Sequence, residues 1–94
     1  MGIQFEWDER KAKRNQRKHG VSFDEATTVI SDPLSATIPD PLHSGFGEER
    51  FVTMGLSAQG RLLVVVHLDL DETIRIISAR RATRTEQRKY EKTI

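Results

Sequence analysis

Cationic, imidazole and carboxylate side chains are the groups of this sequence with the clearest capacity for chemistry. RNA is cleaved when its 2′-hydroxyl attacks the adjacent phosphorus, and the reaction needs a base, an acid and cations around the charged phosphorane. Histidine, glutamate, lysine and arginine can supply these groups without a metal. The candidates for catalytic roles of this kind are Arg80, Arg81, Arg50, His67 and Glu49.

The charges of the chain are strongly segregated although its formal net charge is only +1. Residues 1–20 carry +3, residues 21–72 carry −7 and residues 73–94 carry +5. If the two basic ends meet in space, they form one cationic surface suited to a polyanion such as RNA. The alternative is a set of solvated helix faces. The candidates for RNA binding are Lys18, His19, Lys13, Arg14 and Arg75.

Several of these residues also have an ordinary structural explanation. Lys18 and His19 suit the C-terminal dipole of a helix. His67 alternates with Leu63 and Val65 along a strand, so it could be a hydrogen-bonded histidine of the core. The residue types therefore permit the chemistry without being diagnostic of it.

Arg80 and Arg81 end a predicted strand, so their side chains are expected on opposite faces. Strict alternation places Arg80 on the face of Ile74, Ile76 and Ser78, and Arg81 on the other face. An arginine in a cleft can grip phosphate oxygens with its planar fork. We expect the two arginines to be unequal, with a slight preference for Arg80 because the apolar run on its face ends at Ser78.

The sequence gives little indication of a metal site or of a reactive thiol. There is no cysteine, and His19, His43 and His67 lack the spacing of a zinc site. Asp40, Glu48 and Glu49 could gather around Mg²⁺, which keeps a metal-dependent nuclease open as an alternative. We expect no cofactor.

Residues 51–81 organise the predicted fold as three antiparallel strands with turns at 57–60 and 69–72. The middle strand, residues 62–68, is apolar on both faces, so both must be covered. Asp8 begins a cationic helix that runs to about Lys18, with Gly20 as its stop. Ser22 and Glu25 make a capping box for a second helix, which ends before Pro33.

The rest of the chain completes a single domain over residues 1–94. Residues 3–7 are a short strand or extended lead-in, residues 34–38 an edge strand, and residues 39–47 a loop. A capping box at Thr83 and Glu86 begins a last helix that runs to about Lys92. The prediction is an α+β fold: an antiparallel sheet of three to four strands, two N-terminal helices and one C-terminal helix.

Two blocks of sequence carry a family resemblance. They are residues 18–23, Lys-His-Gly-Val-Ser-Phe, and residues 76–82, Ile-Ile-Ser-Ala-Arg-Arg-Ala. With Phe5-Glu-Trp-Asp8, Lys11, Asn15, Ala26, Asp32-Pro33, Asp40, Glu49-Arg50-Phe51 and Gly55, they resemble the BrnT toxins of bacterial type II toxin–antitoxin pairs, over nearly the whole chain.

The resemblance implies a RelE-like fold and a ribonuclease that arrests translation. Independently, no apolar run approaches the roughly 18 residues of a membrane span, so we expect a cytoplasmic protein. The resemblance also implies neutralisation by a BrnA antitoxin with a ribbon-helix-helix DNA-binding region. The chain would then form a hetero-oligomer with that antitoxin, reach operator DNA only through it, and have no membrane contact. From the residues alone, a non-catalytic nucleic-acid-binding module, a metal-dependent nuclease and a protein-interaction domain remain alternatives.

Overall fold

The computed structural model describes residues 2–40 and 49–93. Most of the predicted loop at 39–47, together with His43 and Glu48, lies outside these ranges. The elements in chain order are β1 (Gln4–Glu6), α1 (Glu9–His19), α2 (Phe23–Ile30), β2 (Ala36–Pro39), β3 (Arg50–Leu56), β4 (Leu62–Leu70), β5 (Thr73–Arg81) and α3 (Arg84–Thr93).

Five strands form one mixed sheet in the order β1-β5-β4-β3-β2. Strands β2 to β5 are antiparallel, whereas β1 runs parallel to β5. The α+β class and the three helices are confirmed, and four strands are antiparallel, but the sheet is mixed because β1 adds a fifth strand whose parallel pairing was not predicted. The short strand or extended lead-in predicted at residues 3–7 is the three-residue strand β1, but its pattern could not show that it pairs in parallel with β5.

The helix boundaries follow the predicted caps. Asp8 Oδ1 accepts hydrogen bonds from the backbone N–H groups of Lys11 and Arg10, at 3.1 and 2.8 Å, which lowers the pKa of the Asp8 carboxyl. Gly20 ends α1 with φ = 68°, a left-handed conformation that glycine adopts without strain. Ser22 Oγ accepts from Glu25 N at 3.0 Å and begins α2.

The core lies between α2 and one face of β3, β4 and β5. On this face the side chains of Leu63 and Val65 are fully buried, while on the other face of β4 Val64 is only 3% exposed. Both faces of the middle strand are thus covered, as predicted. The buried apolar cluster of the core contains Val21, Phe23, Ala26, Val29, Leu63, Val65, Ile74, Ile76 and Ala79.

A bulge in β5 changes which side chains share a face. Val66 pairs with Ser78 and the next residue of β4, His67, pairs with Ile76, so Ile77 is an extra residue on β5. The core face therefore carries Ile74, Ile76, Ala79 and Arg81, and the opposite face carries Arg75, Ser78 and Arg80. The predicted grouping of Arg80 with Ile74 and Ile76 was wrong because strict alternation fails at the bulge.

Candidate nucleic-acid interface

A cationic cleft lies between α1 and the part of β5 that does not pair with β1. Strand β1 pairs with β5 only from Thr73 to Arg75. Beyond that point the edge of β5 faces α1, and a cleft of about 260 Å³ separates them. Its lining residues are Lys11, Arg14, Asn15, Lys18, His19, Ile77 and Ser78.

The helical wall of this cleft is a stripe of cations at helical spacing. Lys11, Arg14 and Lys18 stand at i, i+3 and i+7 and therefore project from one face of α1. His19 adds an imidazole, and within residues 2–40 and 49–93 no carboxylate lines the cleft. Such a wall attracts phosphate groups and repels metal cations. Lys11 was missing from the sequence candidates, although the i, i+3, i+7 spacing would have revealed it.

Asn15 joins the two walls of the cleft. The side chain is buried, and its Nδ2 donates to the carbonyl oxygens of Val21 at 2.9 Å and Ala79 at 2.8 Å. Its Oδ1 accepts from the backbone N–H of Ala79 at 3.1 Å. The one carboxamide thus fixes α1 against both the start of α2 and strand β5.

Arg81 lies at the end of β5, two residues beyond Ala79, on the core face. Its side chain is exposed and makes no hydrogen bond within residues 2–40 and 49–93. The pKa of the Glu25 carboxyl is lowered chiefly by hydrogen bonds from Arg61. The positive charge of Arg81 lowers the same pKa by a weaker electrostatic effect. Arg81 is therefore available to an anion at this end of the sheet.

Arg80 lies on the opposite face and is already paired. Its Nη1 and Nη2 donate to the two carboxylate oxygens of Glu86 in α3, at 2.8 and 3.0 Å. These hydrogen bonds from Arg80 are the main reason that the pKa of Glu86 falls to about 2. Arg80 shares its face with Ser78 of the cleft, but its planar fork is occupied.

Arg50, Glu49 and Arg75 lie at the other end of the sheet. Arg50 and Arg75 both pair with Leu68 of β4, whereas Arg81 pairs with Leu63. Five residues of a strand span about 17 Å, so these residues are too far from Arg81 to share one phosphate. Arg75 Nη1 also donates to Glu6 Oε2 at 2.6 Å.

His67 is the centre of a hydrogen-bonded chain in the interior. It is 2% exposed, and its ring stacks on Phe51 with centroids 6.0 Å apart. Nδ1 contacts Asp69 Oδ1 at 2.8 Å and Nε2 contacts Thr53 Oγ1 at 2.7 Å. Because a carboxylate only accepts, Nδ1 donates to Asp69, and Nε2 accepts a hydrogen bond from the Thr53 hydroxyl when the ring carries a single proton. This chain continues to Thr37 Oγ1 at 2.7 Å.

Lys13 lies on another side of α1. It lines a second groove of about 180 Å³, whose aromatic residues are Trp7 and Phe23 and which also contains the acidic residues Glu9 and Asp24. Of the five predicted RNA-binding residues, the cleft therefore brings together Lys18, His19 and Arg14, while Lys13 and Arg75 lie outside it.

The part of the chain that the structure describes contains no group of three His, Cys, Asp or Glu side chains placed to hold a metal ion. Asp40, one member of the predicted acidic set, is buried, and Glu49 is exposed. Glu48 lies outside the described residues. Within the same ranges, every helix is too short or too polar to cross a membrane.

The fold and the cleft define a small α+β domain with a cationic surface suited to a polyanion. A family profile described as the ribonuclease toxin BrnT of type II toxin–antitoxin systems matches residues 7–86. The chain therefore belongs to the BrnT family of ribonuclease toxins.

A solved structure supports the fold. The chain is similar to the ribonuclease toxin BrnT of Brucella abortus, with a TM-score of 0.64 and 21% sequence identity. The similarity covers 87% of this chain and 99% of that one. Curated proteins gave no match.

Proposed function

We propose that the chain is a metal-independent endoribonuclease and that RNA binds along the cleft between α1 and β5. The observation that carries the proposal is the convergence of Lys11, Arg14, Lys18 and His19 on one cleft in a ribonuclease toxin family. The described lining residues include cations and no carboxylate, which suits them to hold phosphates directly, whereas Mg²⁺ sites are built from oxygen ligands.

The reaction is an internal transfer at phosphorus. The 2′-oxygen gives its proton to a base and forms a bond to the adjacent phosphorus. The bond from phosphorus to the 5′-oxygen then breaks, and that oxygen takes up a proton. The products end in a 2′,3′-cyclic phosphate and a 5′-hydroxyl. Neither metal nor water is consumed in this step.

His19 supplies one of the two proton transfers in this proposal. Imidazole is the commonest general acid or base in enzymes, and the group must be within hydrogen-bond reach of the proton it moves. His19 lines the cleft, whereas His67 is buried in the sheet and would have to act without touching the RNA.

Arg81 does not line the cleft, but it is exposed three residues beyond Ser78 at the same end of β5. In this proposal it stabilises the phosphorane charge, and the cations of α1 hold the flanking phosphates. This assignment prefers Arg81 to Arg80, because Glu86 occupies the guanidinium of Arg80. Cationic groups that already lie around the phosphate need not rearrange when negative charge develops on the phosphorane.

A cognate antitoxin with a ribbon-helix-helix region is the proposed partner. Support comes from the family, whose members are toxins of type II toxin–antitoxin systems. It also comes from the large apolar side chains that remain exposed, since a protein interface can cover such a surface. Among the described residues they are Ile3 at 61%, Leu34 at 63%, Ile38 at 57%, Leu56 at 46% and Leu70 at 45% exposure.

RNA cleavage in excess EDTA tests the catalytic proposal. We expect products with cyclic phosphate ends, and no cleavage where the nucleotide 5′ to the cut carries a 2′-deoxy sugar. Binding without cleavage would indicate a non-catalytic nucleic-acid-binding module. Cleavage that EDTA abolishes and Mg²⁺ restores would indicate a metal-dependent nuclease. Failure to bind RNA would favour a protein-interaction domain.

Arg14→Glu and Lys13→Glu form a matched pair that tests the location of the RNA. Both residues are exposed on α1 and both changes reverse one charge, but only Arg14 lines the cleft. For single strands the log–log salt slope is about −0.7 per phosphate neutralised, and four contacts give about −3. We expect Arg14→Glu to flatten this slope and to weaken binding more than Lys13→Glu. Equal effects would place the RNA elsewhere.

A further inference from the structure

We propose that Asn15 is a positioning residue that sets the spacing of the cleft by acting as a one-residue substitute for an edge strand. The inference rests on the proposed function, because the spacing matters for cleavage only if the cleft holds RNA. It assigns Asn15 no contact with the reacting atoms.

The hydrogen bonds of Asn15 reproduce those of a neighbouring strand. In a sheet, the N–H and C=O of one residue bond to the adjacent strand. Strand β1 supplies such bonds only as far as Arg75. At Ala79 the Asn15 carboxamide takes over both roles, since Oδ1 accepts from the N–H and Nδ2 donates to the C=O.

Little else holds α1 against β5. Among the described residues, no other hydrogen bond joins these two elements. The helix packs against the core through one partly buried apolar side chain, Ala12. An alanine buries little apolar surface and fixes neither the height nor the rotation of a helix. The directional bonds of Asn15 therefore determine how α1 lies against β5.

Asn15 and its partner Ala79 are also close in sequence to the residues that line the two walls of the cleft. The four ionisable lining residues of α1 are all within four residues of Asn15, which is about one helical turn. The lining residues of β5, Ile77 and Ser78, immediately precede Ala79. Fixing this one amide to this one peptide group fixes both walls, because each wall is a regular element at that point.

Only a short side chain that both donates and accepts can do this. Nδ2 uses both of its hydrogens, on Val21 and Ala79, and Oδ1 accepts from Ala79. An alanine would leave the peptide group of Ala79 without these partners, and water entering the gap would loosen the helix. The cations would then remain in the sequence but no longer converge.

The test compares Asn15→Ala with Val29→Ala. Val29 is fully buried in the core on α2 and is absent from the cleft lining, so its truncation destabilises the fold without touching the cleft. Each is assayed at a temperature where melting curves show it to be folded. We expect Asn15→Ala to lower kcat for RNA cleavage about 10- to 100-fold. Val29→Ala should keep the wild-type kcat.

Two further readouts separate positioning from general loss of stability. The log–log salt slope of RNA binding should become flatter by about 0.7 or more in Asn15→Ala, since at least one phosphate contact is lost. The amide of Ala79 should exchange faster with solvent, while those of the central strand β4 stay protected. Val29→Ala should leave the salt slope unchanged and, because it lowers the global stability, should speed exchange at Ala79 and in β4 alike.

Equal kcat and equal salt slopes in the two folded variants would overturn the proposal. If Asn15→Ala does not fold, Asn15→Ser is assayed in sucrose, and we expect the same loss of kcat and the same flatter salt slope. Wild-type activity in the folded Asn15→Ser variant would also overturn the proposal. If the wild-type chain binds RNA without cleaving it, the catalytic proposal fails. The salt-slope comparison then still decides whether Asn15 positions the cations.

Discussion

The guanidinium of Arg80 and the carboxylate of Glu86 form a two-point ion pair that ties β5 to the start of α3. The same carboxylate accepts a hydrogen bond from the backbone N–H of Thr83 at 2.8 Å and so completes the capping box of the helix. Among the described side chains of α3, the least exposed is the buried Tyr90. Its hydroxyl donates a hydrogen bond to the Leu34 carbonyl at 3.4 Å. Glu86 therefore both begins α3 and docks it.

Glu86→Gln should destabilise the protein in a pH-dependent way. The pKa of Glu86 is lowered from 4.5 to about 2 in the folded state, so its contribution is fully present above about pH 5 and is lost as the pH falls toward 2. Because Arg80 is 41% exposed, solvent screening reduces the effect to about 1 kcal/mol.

Melting curves of wild type and Glu86→Gln between pH 7 and pH 2 measure this contribution. The difference in Tm should be largest near neutral pH and should shrink in acid. Glu91→Gln, an exposed change on the same helix, is the control. A Tm difference for Glu86→Gln that does not vary with pH would show that the ion pair contributes nothing measurable.

Arg81→Lys should impair RNA cleavage far more than Arg80→Lys. Lysine keeps the charge but cannot copy the planar fork of arginine. Loss of a positioned charge donor typically costs about 10²–10³ in rate. Arg80→Lys should instead lower Tm, because it breaks the two-point contact with Glu86. Single-turnover cleavage by both variants, with circular dichroism as the check on folding, decides between them. The reverse order would return the phosphate contact to Arg80.

The sequence predicts the ends of the elements better than their lateral arrangement. Asp8, Gly20 and the Thr83–Glu86 box mark helix ends because caps depend on local hydrogen bonds between neighbouring residues. The bulge at Ile77 could not be predicted, since one extra residue leaves no pattern of its own. It nevertheless decides which face Arg75, Ile76 and their neighbours occupy.

Only one wall of the cleft, the α1 wall, could be predicted from the sequence. The cations of α1 are evident, but the partner wall lies more than 50 residues away in the chain. Asn15 appears in the sequence as a small neutral residue among cations, and only the fold shows that it bonds to Ala79. The burial of His67 likewise depends on neighbouring strands.

His67→Gln should reduce stability without directly reducing the rate of RNA cleavage. The buried imidazole links Asp69 to Thr53, and glutamine can keep only part of that chain. A buried hydroxyl or amide without a partner costs about 1–3 kcal/mol, which lowers Tm by several degrees in a domain of this size. Thr53→Val, which removes the next hydroxyl of the chain, should lower Tm similarly.

Cleavage assays on folded His67→Gln and Thr53→Val proteins complete that test. Both should retain most of the wild-type kcat, whereas His19→Gln should lose most of it. If His67→Gln loses activity at full folding while Thr53→Val does not, then His67 takes part in the reaction and the cleft between α1 and β5 is not the whole active site.

Arg61→Gln should destabilise the protein most at neutral pH, because it leaves a buried carboxylate without its cation. Arg61 Nε donates to Glu25 Oε2 at 2.9 Å, its Nη2 donates to Glu25 Oε1, and Ser57 Oγ donates to Glu25 Oε2 at 2.7 Å. Arg61 Nη2 also donates to the Gly20 carbonyl at 3.1 Å, so the pair connects the β3–β4 hairpin to the junction of α1 and α2.

The sign of the pH effect follows from the pKa of Glu25. Hydrogen bonds from Arg61 lower that pKa in the wild type, so the stability they provide is present above the ordinary carboxyl range and is lost in acid. In Arg61→Gln the buried carboxyl instead favours its neutral form, and protonation relieves the penalty. We therefore expect the Tm deficit of Arg61→Gln to narrow between pH 6 and pH 3, while Arg88→Gln, an exposed change on α3, shows little deficit at any pH. A deficit that does not vary with pH would mean that Arg61 stabilises the hairpin through the Gly20 carbonyl rather than through Glu25.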